Sequence, residues 1–212
     1  MTDTASVHNL LSSRGEQTRE KILDAAEAIF ADKDFSAARL EDVAQVVGIR
    51  RASIVYYFAN KQELYNAVES RVFAAMTDSI ERNLQGVESA VDRVLTVLDS
   101  WLDFLVHRPS ASRLILRDSA KSHAQASSSV RISAAAVRLW ERELGAGQQS
   151  GELAEADPIH LLHLLGAGIV YYSATGQLLG EERLYDPAAP ENLQAFRKLL
   201  HRNARALLLP EN

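Results

Sequence analysis

The stretch LEDVAQVVGIRRASIVYYFANKQEL, from Leu40 to Leu64, constrains this chain more than any other. Apolar side chains at Leu40, Val43, Ala44 and Val47 recur at helical spacing, and the run stops at Gly48. Glycine enters the left-handed backbone that closes a helix without the clash a Cβ would bring. Ile49 is placed to tuck beneath that turn, and a second short helix restarts at once with Arg50 and Arg51. Ile54 and Phe58 are its inward residues, so Arg50, Arg51, Ala52, Ser53, Tyr56 and Tyr57 are left to meet something else. Two helices about a tight turn, the second carrying cationic, hydroxyl and phenolic groups, make the pattern of a helix-turn-helix over residues 39–58. Those groups contact phosphates and base edges, so the pattern points to double-stranded DNA.

The flanking sequence completes a small helical domain over residues 15–62. From Thr18, the apolar positions Ile22, Ala25, Ala26, Ile29 and Phe30 fall on one helix face, and Phe35 follows a polar break to plug the core. Asn60 with Glu63 three positions later is a capping-box signature, so a further helix opens at Lys61 and runs through Leu64, Tyr65, Val68, Phe73 and Met76 to about Leu84. Residues 1–14, rich in Ser, Thr and Asn, read as a flexible arm. Residues 63–212 read as a larger helical body. It has a broad apolar stripe from Val91 to Leu105, a long helix through Val137 and Trp140 that stops near Gly145 and Gly147, an Asp157-Pro158 helix start, and a last helix over Leu193–Leu209.

Composition agrees with an all-α chain of about nine helices and no strand. Aromatics are sparse at 7% while Leu and Ala abound, and an apolar share of 47% is enough for a real core. The net charge of −5 does not exclude DNA, because a nucleic-acid footprint is local and Arg39, Arg50, Arg51 and Lys61 lie close together in sequence. With no cysteine, a disulfide scaffold, a thiolate metal site and a cysteine nucleophile are all excluded. Met1 to Arg14 shows no apolar signal core. The one membrane-like run, Leu161 to Gly180, is interrupted by His163, Ser173, Thr175 and Gln177. A buried or interface helix and a cytoplasmic location, with no membrane partner, are therefore expected.

The chain resembles the TetR family of one-component transcriptional regulators. The residues that carry the resemblance are Ile22-Leu23-Asp24-Ala25-Ala26 through Phe30, Leu40-Glu41-Asp42-Val43-Ala44, Gly48-Ile49, Ser53-Ile54, Tyr57-Phe58 and Lys61 through Leu64. FLVHRPSASRLILRD and GELAEADPIHLLHLLGAGIVYY are looser echoes of the family's regulatory domains. The resemblance implies a homodimer, a palindromic operator and a small-molecule effector pocket in the C-terminal part, with repression more usual than activation. Three positions depart from the family pattern. Asp34 replaces a glycine, Val55 replaces a tyrosine, and Arg39 stands where a Ser or Thr often caps the second helix. Ser36 is then expected to cap that helix one turn earlier, freeing Arg39 for a phosphate.

The expected DNA-contacting set is Arg39, Arg50, Arg51, Ala52, Ser53, Tyr56, Tyr57 and Lys61. For the arginines, base and phosphate contact both remain open, and Tyr57 has a competing role in packing. In the body, Trp101 and Trp140 sit on separate helices and Tyr171 on a third. Together with Leu98, Leu105, Arg113, Leu116, Arg117, Val137 and His163 they either wall a mainly apolar effector pocket or fill the core. Leu162, Gly166, Val170, Phe196, Leu200 and Asn203 are the expected dimer contacts. His160 and His163, three apart, offer the alternative of a metal-binding protein or a helical-bundle enzyme with Asp157. No HExxH pattern, GxSxG elbow or dinucleotide fingerprint supports that alternative, and neither a cofactor nor a metal is expected.

Overall fold

The computed structural model describes residues 4–119, 129–175 and 185–209. In chain order it contains α1 (Thr4–Asp32), α2 (Leu40–Val47), α3 (Arg51–Tyr57), α4 (Lys61–Asn83), α5 (Ala90–His107), α6 (Pro109–Ser119) and α7 (Ser129–Gln149). There follow α8 (Pro158–Leu161), a wide π turn (Leu162–Gly166), α9 (Ala167–Thr175) and α10 (Pro190–Leu208). Because α8, the π turn and α9 run on unbroken, the described residues make nine continuous helices and no strand. The chain divides into two compact units, 1–69 and 70–212. The division falls inside α4, a little beyond the boundary expected at residues 62–63. Helix α1 already begins at Thr4, where an irregular arm through residue 14 was expected. The run from Thr4 to Arg14 holds no Gly or Pro to interrupt a helix.

In the N-terminal unit, Ile22, Leu23, Ala26 and Phe30 of α1 share a buried core with Val43 and Ala44 of α2, Ile54 of α3, Phe58, and Leu64 and Tyr65 of α4. Phe35 closes this core as expected. Its ring and that of Phe30 meet Tyr65 edge-on, at centroid distances of 5.1 and 4.9 Å.

In the C-terminal unit, α5 is the central helix. Ser89 caps it by accepting a hydrogen bond from Asp92 N, and Val94, Leu98, Leu102 and Leu105 line its fully buried face. Burying each of these side chains stabilises the fold by roughly 1.5–3 kcal/mol. Trp140 and Leu144 of α7, Leu165, Ile169 of α9 and Leu200 and Ala204 of α10 join the same core. Helix α7 does not stop at Gly145 or Gly147. It continues to Gln149, and a Cβ on Gly147 would stand 2.5 Å from Leu153 Cδ1 and 2.8 Å from Ala90 Cβ. That glycine serves close approach, not termination.

Charged clamps hold the body's elements in register. Arg93 Nε donates to Glu143 at 2.7 Å, and Arg93 Nη1 donates to the carbonyl of Val87 at 2.7 Å. Burial pushes the Glu143 carboxyl up, but hydrogen bonds from Arg93 and Arg142 outweigh it and hold the group below the ordinary glutamate value. Arg197 of α10 bridges Asp99 and Asp103 of α5, while His201 Nε2 lies 2.8 Å from Asp99.

Candidate nucleic-acid interface

The helix-turn-helix is assembled by local hydrogen bonds. At the start of α2 the Asp42 carboxylate accepts from Arg39 N at 3.1 Å and from Lys33 Nζ at 3.0 Å. The bond from Lys33 and then that from Arg39 keep the Asp42 carboxyl below its usual range. Arg39 thus occupies the N-cap position and Asp42 supplies the capping carboxylate, so the expected cap at Ser36 is not formed. At the other end Gly48 is left-handed, with φ 75° and ψ 31°, and Ile49 N reaches back to the Ala44 carbonyl at 3.0 Å. Helix α4 opens on the expected Asn60 cap: Asn60 Oδ1 accepts from Glu63 N at 2.9 Å, while the Glu63 carboxylate reaches one residue further back than in a full capping box and accepts from Ala59 N at 2.8 Å.

Between these two anchored helix starts, α3 turns one face outward. Arg50, Arg51, Ala52, Val55 and Tyr56 are exposed, Tyr56 at 84%. A phenol so bare contributes nothing to the core and is available to a partner. Ser53 is half-buried. Tyr57 is also half-buried and meets the Tyr56 ring edge-on at 5.2 Å. Tyr56 and Tyr57 border a cleft of about 470 Å³ shared with Arg14, Thr18 and Arg19 of α1. On the other flank a concavity of about 410 Å³ is lined by Arg39, Glu41, Arg51, Val55, Asn60 and Lys61, among others.

Lys61 Nζ donates to the carbonyls of Phe35 (2.6 Å) and Ala38 (2.9 Å) and lies 4.5 Å from the Phe35 ring centroid. Its charge ties the loop before α2 to the start of α4. The sequence reading missed Glu41, whose Oε1 lies 2.8 Å from Arg51 Nε. Ten positions separate the two, a spacing with no meaning on one helix. Only the glycine turn brings the first turn of α2 beside the start of α3.

In the body, the residues expected to wall a pocket separate. Leu98 and Leu105 are core residues and Trp140 is buried, with Nε1 donating to the Pro158 carbonyl at 2.7 Å. Val137 and Arg117 are half-buried, while Arg113, Leu116, His163 and Tyr171 are exposed. Tyr171, at 58% exposed, does not join the indoles. Trp101 is half-buried; its ring lies against Gly166, where a Cβ would come within 2.5 Å, and its Nε1 is buried with no hydrogen-bond partner among the described residues.

The expected dimer contacts are redistributed too. Val170 and Leu200 belong to the core of their own chain, Gly166 is covered by Trp101, and Leu162 and Phe196 pack on the core's edge, Phe196 stacking on Tyr172 at 3.9 Å. Asn203 alone of that set is exposed. The outward stripe of this helix is His160, Leu164, Ala167, Gly168 and Tyr171. Nearly every residue from Leu161 to Tyr172 is apolar, so no polar contrast marked which face points inward. His160 and His163 are exposed, the Asp157 carboxylate caps α8, and no group of three or more metal-ligating side chains gathers among the described residues. No described helix is long and apolar enough to cross a membrane.

Residues 22–68 match the family model described as bacterial regulatory proteins, tetR family. The transcriptional activator FasR of Mycolicibacterium smegmatis is 24% identical over 55% of this chain and 53% of its own, so the match spans about half of that relative. The transcriptional repressor NicS of Pseudomonas putida is 24% identical over 76% of this chain and 77% of its own. The regulator FadR of Bacillus subtilis, solved in complex with stearoyl-CoA, superposes with a TM-score of 0.73 at 17% identity, covering 87% of this chain and 96% of that one. A matching reader domain with its outward face intact and a shared helical fold lead to one conclusion: residues 22–68 are a helix-turn-helix domain of the kind found in the tetR family of bacterial regulatory proteins, carried on a chain with the fold of solved regulators.

Proposed function

We propose that the chain acts as a homodimer that binds a palindromic operator in the cytoplasm, represses transcription there, and is released by a small, mainly apolar effector. The observation that carries this reading is the outward face of α3, where Arg50, Arg51, Ala52 and Tyr56 stand free of the core on a helix set between the capped starts of α2 and α4. Its shape and chemistry suit entry into the major groove, with Arg39 and Ser53 at its margin. Two copies would present two such helices about one turn of DNA apart, roughly 34–36 Å, or a multiple of it. The pairing surface best supported is the exposed stripe of Leu164, Gly168 and Tyr171 beside Leu199 and Asn203 of α10, since the stack of Tyr172 on Phe196 sets these helices side by side.

Support for an effector comes from Trp101. A buried indole N–H without an acceptor costs about 1–3 kcal/mol, and a ligand oxygen would relieve it. The stearoyl-CoA bound by FadR agrees with an effector that is largely apolar. A ligand shifts such a protein only by as much as it prefers one state over the other. Repression is favoured by NicS, while FasR shows that activation occurs among relatives.

The test is fluorescence anisotropy on duplexes from the promoter region of the chain's own gene, across a salt series. Arg50→Ala and Arg51→Ala are each expected to weaken binding by more than tenfold with unchanged circular dichroism, and affinity should fall steeply with salt. Undiminished affinity in both variants, a flat salt response, or a strictly monomeric particle in sedimentation would refute the reading.

A further inference from the structure

The two neighbouring arginines at the start of α3 are not equivalent. Arg50 is exposed and makes no ion pair among the described residues. Arg51 holds Glu41 Oε1 at 2.8 Å from its Nε, and both side chains remain about three-fifths open to solvent, at 60% and 61%. A phosphate approaching Arg51 meets the Glu41 carboxylate as well, so the pair offers it almost no net attraction. Nor does the pair gain much by staying as it is, because an exposed ion pair contributes only about 0–1 kcal/mol. What it presents is a fork of donors beside an acceptor, on the rim of the concavity that Val55 also lines.

One partner in the major groove carries the matching set. Guanine shows two acceptors, O6 and N7, and its paired cytosine shows the N4 amino donor alongside them; arginine suits the first and a carboxylate the second. We propose that Arg51 and Glu41 together read a single G·C base pair in each operator half-site, with Arg51 on the guanine and Glu41 on the cytosine amino group. Arg50 and Arg39 are left to grip phosphates. This assignment rests on the DNA-binding reading above and deepens it: Glu41, on the positioning helix α2, becomes a specificity-determining residue. Val55, 40% exposed one turn along α3 from Arg51, places its methyl groups where a neighbouring thymine methyl would meet them.

The experiment selects bound duplexes from a randomised pool with the wild type, then titrates the selected duplex against wild type, Arg51→Ala and Glu41→Ala. Both changes fall on exposed positions. The wild type is expected to enrich one G·C pair per half-site and to lose about tenfold or more in affinity when that pair becomes A·T. Arg51→Ala should bind the two duplexes alike. Glu41→Ala uncovers a cation, so it should bind unrelated DNA more tightly with a steeper salt dependence, while its preference for G·C over A·T falls by about threefold or more. If Arg51→Ala weakens every sequence uniformly, or Glu41→Ala keeps the full G·C preference, the paired readout is wrong while operator binding stands. If the wild type enriches no sequence at all, operator binding and the paired readout both fail.

Discussion

The N-terminal unit and the C-terminal body are held together by hydrogen bonds of very different reach. In the first, the bonds that cap the helices span three or four positions: Arg39 to Asp42, Asn60 to Glu63, Ala59 to Glu63; its longest reach is that of Lys61, 26 and 23 positions back to the carbonyls of Phe35 and Ala38. In the second, the clamps join residues far apart in sequence. Arg93 lies 50 positions from Glu143, Asp103 94 from Arg197, and Asp99 102 from His201. The loss of any one of the short caps is tolerated, because each fixes only a turn. A body built on long-range charged clamps concentrates its stability in a few partners, one of them buried.

That contrast sets an order of expected effects. Removing Arg93 leaves the Glu143 side chain, 3% exposed, with Arg142 as its remaining partner, and frees the carbonyl of Val87. Arg93→Ala should cost about 3–5 kcal/mol, read by denaturant unfolding followed through tryptophan emission, since both tryptophans lie in the body. Glu143 is held below its ordinary value of 4.5, so its contribution is complete above that pH and is lost as pH falls through the depressed folded value. The gap between Arg93→Ala and wild type should therefore narrow in acid. A gap of under 1 kcal/mol at neutral pH, or one that widens in acid, would break the comparison.

Smaller effects belong to the N-terminal unit. Gly48→Ala forces a side chain into the left-handed region at φ 75° and should cost roughly 1–2 kcal/mol. Its signature is faster amide exchange across α2 and α3, with the tryptophan-reported transition unchanged. Asn60→Ala removes one cap and should cost about 1 kcal/mol, confined to exchange in the first turn of α4. Were Asn60→Ala to destabilise the chain as much as Arg93→Ala, the distinction between local and long-range bonding would lose its meaning.

The same contrast explains what could be read in advance. The turn at Gly48 and the caps at Asn60 and Asp157 were legible because each is a signal confined to a few consecutive residues. The bonds of Lys61 were not legible because its carbonyl acceptors at Phe35 and Ala38 lie 26 and 23 positions away. Glu41 was overlooked for a related reason: its partner is on another helix. In the body the helices themselves were legible, including the Asp157-Pro158 start. The faces of the segment after it were not, because apolar residues surround it on all sides and leave periodicity nothing to distinguish.

The π turn at Leu162–Gly166 leaves that segment open to a particular kind of change. A turn of this width holds one residue more than ordinary helical hydrogen bonding needs. Deleting one amino acid there would let the helix close up as an ordinary α-helix, and because the wide turn absorbs that residue, the segment from Ala167 onward would keep its faces. A single lost codon there would thus erase the wide turn and shorten the segment while Tyr171 and its neighbours kept their outward positions.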